Sequence, residues 1–396
     1  MLLSSFSSRR NDAIYREDIP SFSGMHLGRG FTTFPVGHLG FWATKGIIGS
    51  VAVFLSKTRF VRSRVLLSIV KFMAPPQILE KIVIMLYNSY EVNNMDVVRL
   101  IPSFKTTLWA GNGLNRLYSK NCPEKTGESW ELSCNPAGCC LIDNGAYGGK
   151  TLQQALQAEP DAVGTKFSGK RFPLLVKILD AGQDLSVQVH PTDSYASSHP
   201  GTEAKTEMWY IIHAEPGAEI LCGLNRNVTA TELSRAAANG TITGMLNRIM
   251  VKPGDSILIK AGTLHAIGKG ILLAEIQQNS DTTYRVYDYG RGRPLNLSEG
   301  IECADKTVTV PEIIRDDVRK EKFTLCTCDN FRVGRFSVSE KALISTDPEA
   351  FMSVTVLRGR GIIECMDAPP GATFFIPAGT DTVISGNMDL LLAVPR

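Results

Sequence analysis

The feature that most constrains this chain is a turn that occurs twice. Gly254-x5-Lys260-Ala261-Gly262-x2-His265 recurs as Gly371-x5-Pro377-Ala378-Gly379-x2-Thr382. Self-similarity at a fixed spacing means that one supersecondary unit has been used twice. Upstream of each copy lies a similar apolar run ending in a Gly-containing turn, MWYIIHAEPGAEI from Met208 and MSVTVLRGRGII from Met352. The runs at 172–179, 185–191, 255–262 and 270–278 have the length and β-branched content of strands and are punctuated by Gly and Pro. The pattern predicts a mainly β chain of two related barrels with helical insertions. One insertion is expected over 229–249, an alanine-rich segment with a Thr cap ahead of Glu232, and another around 151–157. At 396 residues the chain is too long for one ordinary core and suits two or three packed units.

Charge divides the chain unevenly. Residues 1–94 hold 11 Lys/Arg against 5 Asp/Glu, while the whole chain has 42 against 39, a formal charge of +3. That balance is far too small for a reader of phosphate backbones, and no basic run is interleaved with aromatics, so nucleic acid is not an expected partner. The apolar stretch Gly46–Leu55 is too short to span a bilayer, and Lys45 and Lys57 flank it. Acidic residues among the first thirty argue against secretion and against an organelle transit peptide. Residues 1–94 are therefore expected to be a leader of uncertain order that does not join the main fold, with the functional unit starting at Met95. Nine cysteines without regular spacing read as small buried hydrophobes in a reducing, cytoplasmic setting rather than as a disulfide framework.

Chemistry-bearing residues gather on the first copy of the repeat. Gln188 and His190 are two apart on an expected strand and so share a face. Glu207 opens the next apolar run, and His265 follows the repeated turn. Two imidazoles, a carboxylate and an amide oxygen converging from separate strands form a set suited to Zn²⁺, with room for substrate or water. A single His on an apolar strand is ordinarily a satisfied core residue, and it is the joint placement that favours a metal.

The spacing of the repeat resembles the second sequence motif of the cupin superfamily, whose jelly-roll barrels enclose a site between two sheets. Lys260 departs from the Pro usual there. In the second copy Thr382 stands at the position of the metal-ligating His and Phe351 at that of Glu207, so the C-terminal barrel is expected to be metal-free. The expected organisation is a catalytic cupin unit over 95–318 and a second cupin-like unit over 319–396. Gln188-Val189-His190-Pro191, Lys205-Thr206-Glu207, Ala261–Ala266, and Glu275 followed ten residues later by Arg285 in TTYRVYDYGR resemble type I mannose-6-phosphate isomerase, in particular its shorter bacterial form. The likeness runs from about Ile101 through Thr107-Leu108-Trp109 and Gly127–Ser133 to the end. Longer members of that family carry Lys-Pro-Glu where this chain has Lys205-Thr206-Glu207.

The resemblance implies a zinc-dependent, reversible isomerisation of mannose 6-phosphate and fructose 6-phosphate through a cis-enediol, with one Zn²⁺ per chain held by Gln188, His190, Glu207 and His265. Moving a proton between two adjacent carbons requires a base beside them and positive charge beside the developing enediolate. Arg285 is assigned to that charge, and Lys205 and Glu275 are both candidates for the proton transfer, since burial and the metal decide which pKa suits it. Lys177 and Arg291 are further expected contacts to the anionic substrate. A non-catalytic, sugar-binding cupin sensor is the alternative; it can dispense with Arg285 and Glu275, and this chain keeps both. An iron-dependent cupin dioxygenase would call for a more His-rich set. The sequence leaves oligomeric state open.

Overall fold

The computed structural model describes residues 95–396. The expectation for residues 1–94 lies outside the described residues. The first third of the described chain holds β1 (Val98–Ile101), β2 (Ser103–Thr106), β3 (Thr126–Leu132), β4 (Leu141–Ile142), β5 (Leu174–Ala181) and β6 (Val187–Val189). Next come β7 (Glu207–Ala214), β8 (Glu219–Leu224), β9 (Leu246–Met250), β10 (Asp255–Ile259), β11 (His265–Ile267), β12 (Ile271–Gln278) and β13 (Tyr284–Tyr287). The last are β14 (Ile313–Arg315), β15 (Lys322–Thr327), β16 (Phe331–Ser345), β17 (Met352–Ile363), β18 (Met366–Ala368), β19 (Thr373–Ile376) and β20 (Asp381–Pro395).

These strands build three sheets. A seven-stranded sheet runs β14-β10-β7-β12-β5-β3-β2, and a five-stranded sheet runs β13-β6-β11-β8-β9. Apolar side chains fill the space between the two: Leu179, Trp209, Ile211, Ile257 and Leu273 from the larger sheet meet Ile220, Cys222 and Ile267 from the smaller. The larger sheet is covered on its other face as well. There Leu174, Val176, Met208 and Ile276 pack in one cluster with Phe331, Val333, Phe351 and Phe375. Being sandwiched on both sides explains why β5 and β12 read as near-continuous apolar runs rather than alternating ones. A charge inside such a run must find its partners within the protein, and Lys177 and Glu275 are both in that position.

The third sheet has eight strands, ordered β15-β16-β20-β17-β19-β1-β4 with β18 on β17. Its long strands β16, β17 and β20 curl around a core that includes Phe336, Val354, Phe374, Ile384 and Leu390. A division after residue 318 leaves β1 and β4 with the sheet that residues 322–395 otherwise build.

The repeated turn has the same backbone in both copies. Gly254 and Gly371 sit at φ 90° and 81°, and Gly262 and Gly379 at 86° and 65°, conformations that a residue with a Cβ rarely adopts. The register refines one equivalence. Ile259 pairs with Glu207, and Ile376, five residues after its own Gly as Ile259 is, pairs with Met352. Met352 rather than Phe351 therefore stands at the Glu207 position, while Phe351 stacks on Phe172 at 4.9 Å. Both insertions are helical at their starts. Thr229 and Glu232 form a capping box ahead of Ala230–Ala238, and Thr151 caps Leu152–Ala158 with Gln154 in the same way. The first helix ends well before residue 249, because Gly240 takes φ 72° and Leu246–Met250 is a strand that pairs with β8. Among the described residues no helix is long and apolar enough to cross a membrane.

Candidate functional site

Two rows of side chains face each other between the five- and seven-stranded sheets. In antiparallel sheets, residues directly opposite one another project to the same face. On the five-stranded sheet the register aligns Arg285 with Gln188, Gln188 with His265 and His265 with Cys222. On the seven-stranded sheet it aligns Trp130 with Lys177, Lys177 with Glu275, Glu275 with Trp209 and Trp209 with Ile257. Glu207 precedes Trp209 by two and shares its face. The rows meet where the Trp209 and His265 rings pack nearly perpendicular to each other, their centroids 5.5 Å apart.

At that junction His190, Glu207 and His265 come together, all buried, with their ligand atoms within 4.8 Å of one another. His190 Nε2 lies 3.2 Å from Glu207 Oε2, and His265 Nε2 lies 3.5 Å from Glu207 Oε1. Each imidazole is anchored by its other nitrogen: Nδ1 of His190 is 3.0 Å from the carbonyl of Thr282 and Nδ1 of His265 is 2.8 Å from that of Thr263. A carbonyl can only accept, so both Nδ1 atoms carry the proton and both Nε2 atoms keep a lone pair on the Glu207 side, that of His190 accepting from Lys205 Nζ at 3.1 Å. Metal-ligating histidines are oriented in this way. Glu207 Oε1 is buried without a hydrogen-bond donor, while Oε2 has the Lys205 ammonium 2.8 Å away. A buried acceptor-only group without a donor is costly unless a cation satisfies it. Gln188 is 3.2 Å from His265 Nε2, and its amide can present either end to the cluster. The donor set, two neutral imidazoles, a carboxylate and an amide, fits zinc.

The local charges reinforce this state. Burial, with Lys205 next in weight, pushes His190 down to about 3, and burial likewise lowers His265. For Glu207 burial works to raise the pKa, but Lys205 and His190 outweigh it and hold the carboxyl well below its usual range. Lys205 Nζ is 2.8 Å from Glu207 Oε2 and 3.9 Å from Glu275 Oε1. Glu275 goes the other way, raised by burial and by the Glu207 charge against the pull of Lys205 and Lys177. Two carboxylates in one site thus have their pKa values pushed apart, as an acid/base site requires.

Of the residues singled out in the sequence, Gln188, His190, Lys205, Glu207, His265 and Glu275 are brought into one contact network. Lys177 joins it as a buried charge, its Nζ 3.5 Å from Glu275 Oε1 and 3.5 Å from Glu128 Oε2. Arg285 stands in the row with Gln188, held by bonds from Nε to Ser186 Oγ at 3.3 Å and from Nη1 to the Pro294 carbonyl at 3.0 Å. Arg291 bonds outside the cluster, to Asp288 Oδ1 at 2.7 Å and to the Asp184 carbonyl at 2.9 Å. Arg293 shares Asp288 with it.

Sequence reasoning gave no role to Glu128, Trp130 or Trp209. Trp209 Nε1 donates to Glu275 Oε2 at 3.2 Å, fixing the carboxylate from the side opposite Lys177. Trp130 lies under the Lys177 ammonium at 4.9 Å and donates to Glu128 at 2.7 Å. A signal was present: lone charges within the apolar runs LLVKILDA and ILLAEIQQ imply polar or aromatic partners on the flanking strands.

Residues 97–205 match the family described as phosphomannose isomerase type I, catalytic domain. The chain is 38% identical over 317 residues to the probable mannose-6-phosphate isomerase GmuF of Bacillus subtilis, covering 75% of this chain and 98% of that protein. It is 41% identical over 273 residues to mannose-6-phosphate isomerase ManA of the same organism, covering 66% of this chain and 85% of ManA. The crystal structure of a mannose 6-phosphate isomerase from Bacillus subtilis superposes with a TM-score of 0.65 at 35% identity, over 76% of this chain and 99% of that one.

Proposed function

The chain belongs to the type I phosphomannose isomerase family and is an aldose-ketose isomerase; from that premise we propose that it interconverts mannose 6-phosphate and fructose 6-phosphate through a cis-enediol, with one Zn²⁺ per chain. The observation that carries the reading is the buried junction of His190, Glu207 and His265, whose ligand atoms lie within 4.8 Å of one another and in which Glu207 Oε1 has no donor. Gln188, His190, Glu207 and His265 hold the ion. When bound, it supplies Lewis-acid stabilisation of negative charge on the substrate oxygens.

The remaining steps fall to the chain's own groups. Lys205 and Glu275 are the proton-transfer pair, supported by their 3.9 Å approach and by the raised pKa of Glu275. Trp209 and Lys177 orient the Glu275 carboxylate, one at each oxygen. Arg285 supplies fixed positive charge to the enediolate from the five-stranded sheet, beside Gln188. Lys177 and Arg291 are the cationic contacts to the substrate, from the Glu275 side and the Asp288 side respectively. A reducing, cytoplasmic setting belongs to the same reading, supported by nine free cysteines.

The test is direct. Purified full-length protein loaded with zinc is given mannose 6-phosphate and monitored for fructose 6-phosphate, with and without a chelator. Turnover that the chelator abolishes and added zinc restores supports the proposal. Saturable binding of mannose 6-phosphate to the zinc-loaded protein without product would reject it.

A further inference from the structure

A pair of cysteines lies on a hairpin that the isomerase chemistry does not use. After β3 the chain turns back at Asn135–Gly138 and enters β4. Two backbone bonds define the turn: Gly138 N–H donates to the Asn135 carbonyl at 2.9 Å, and Cys140 N–H to the Ser133 carbonyl at 3.0 Å. Between those two bonded pairs Cys134 and Cys139 stand directly opposite each other. A cross-strand pair without its own hydrogen bonds brings its Cα atoms to about 4.5 Å with the side chains on one face. Disulfides span roughly 4.4–6.8 Å between Cα atoms, so this pair can close without moving the backbone.

Access and reactivity are divided between the two. Cys139 is half-buried and Cys134 is buried. The hydrogen bond from Cys134 pushes Cys139 down to about 6 against the effect of burial, helped by the backbone N–H of Gln153 and the Thr151 hydroxyl. Burial raises Cys134. The neighbouring Cys140 points away, its Sγ 3.1 Å from the Trp130 carbonyl. A second close pair, Cys326 and Cys328, lies two residues apart along one segment, where an extended backbone sets the Cα atoms roughly 6.6 Å apart, at the far limit for a disulfide.

We propose that Cys134 and Cys139 form a redox-active dithiol that hydrogen peroxide converts to a disulfide. The Cys139 thiolate attacks one peroxide oxygen. The O–O bond breaks, and the departing hydroxide takes up the proton that Cys139 had released, giving water. Cys139 is now a sulfenic acid. The Cys134 sulfur then attacks the Cys139 sulfur, the S–O bond breaks, and the oxygen leaves with the Cys134 proton as a second water. Two thiols lose two electrons in total and one peroxide gains them. Thiol reductants reverse the change.

The experiment uses the reduced full-length chain, limiting hydrogen peroxide, alkylation and peptide mass mapping. The wild type is expected to lose two hydrogens in the peptide that carries Cys134 and Cys139 and to leave both thiols unalkylated. Cys140→Ser should behave as wild type. Cys134→Ser should stop at a sulfenic acid on Cys139 that dimedone traps. Ionisation near pH 6 makes Cys139 mostly thiolate at pH 7, about 30-fold more than an ordinary thiol, while its lower nucleophilicity returns roughly tenfold of that. A net advantage of about threefold over an ordinary thiol follows, and alkylation of Cys139 should fall to half near pH 6. Disulfide formation that survives Cys134→Ser, or oxidation of Cys365 with the pair still reduced, would overturn the proposal.

Discussion

Arg285 stands opposite Gln188 across the β6–β13 pair, and Gln188 stands opposite His265 across β6–β11, so Arg285 lies one residue from the proposed ligand set on the same face of one sheet. Burial, then the nearby Arg293, lowers its pKa, yet Arg285 remains a fixed cation across the working pH range. Arg285→Ala is expected to lower kcat by roughly 100- to 1,000-fold with zinc content nearly unchanged, as for loss of one well-placed donor to a developing oxyanion. Lys keeps the charge without the planar fork and should restore only part. Steady-state kinetics beside metal analysis checks this. An effect confined to KM would mean that Arg285 holds ground and transition states equally.

Glu207 should be the most sensitive ligand. Both of its oxygens are buried; Oε1 has no donor, and Oε2 is paired with Lys205 at 2.8 Å. Glu207→Gln removes the one charged proposed ligand and leaves Lys205 a buried cation whose remaining paired carboxylate is the more distant Glu275. Zinc stoichiometry and turnover should both collapse. Breaking a buried pair from one side typically costs about 3–5 kcal/mol, so a melting curve of the metal-free variant should show a marked loss against the metal-free wild type. Full zinc occupancy in the variant would remove Glu207 from the ligand set.

A third expectation concerns Lys177 and pH. Glu275 has a raised pKa, so its carboxylate form is lost on acidification at a higher pH than an ordinary glutamate's. Lys177, 3.5 Å away, works to lower that value. In Lys177→Met the Glu275 pKa should climb further, and the acidic limb of the kcat profile should move to higher pH. Loss of the Lys177 charge also leaves Glu128 without the cation that outweighs its burial. A limb that stays in place in an active, zinc-loaded Lys177→Met protein would take the proton-transfer role away from Glu275.

Much of the candidate site was legible because its residues sit on a repeated turn and on strands whose alternation is simple. Gln188 and His190 two apart, Glu207 at a strand start and His265 at a turn exit were each placed by periodicity and Gly spacing. What one sequence could not give was register. The row from Trp130 to Trp209 crosses four strands drawn from distant parts of the chain, and only their pairing sets Lys177 between Glu128 and Glu275. Register also decided that Met352, not Phe351, matches Glu207. The helical reading of 229–249 ran too far because an alanine-rich start carries strong local propensity. Pairing of Leu246–Met250 with β8 overrides propensity at its end.

The N-terminal strand of the described residues supplies the last prediction. A chain beginning at Met95 is expected to fold and to isomerise like the full-length protein, whereas one beginning at Pro102 should not fold. The reason is where β1 lies. It is hydrogen-bonded on one side to β19, through Val98–Phe375 and Leu100–Thr373, and on the other to β4. Removing it strips β19 of a neighbour and cuts β4 away from the sheet. Met95, Val97, Val98 and Leu100 are all buried, at 2%, 5%, 2% and 4% exposure. Burying an apolar side chain of this kind contributes about 1.5–3 kcal/mol, so the four together reach on the order of the 5–15 kcal/mol that holds an ordinary domain folded. Soluble yield, a cooperative melt and fructose 6-phosphate formation decide the matter. Failure of the Met95 chain to fold would assign residues 1–94 to the folded unit, and a stable, active Pro102 chain would show that β1 is dispensable.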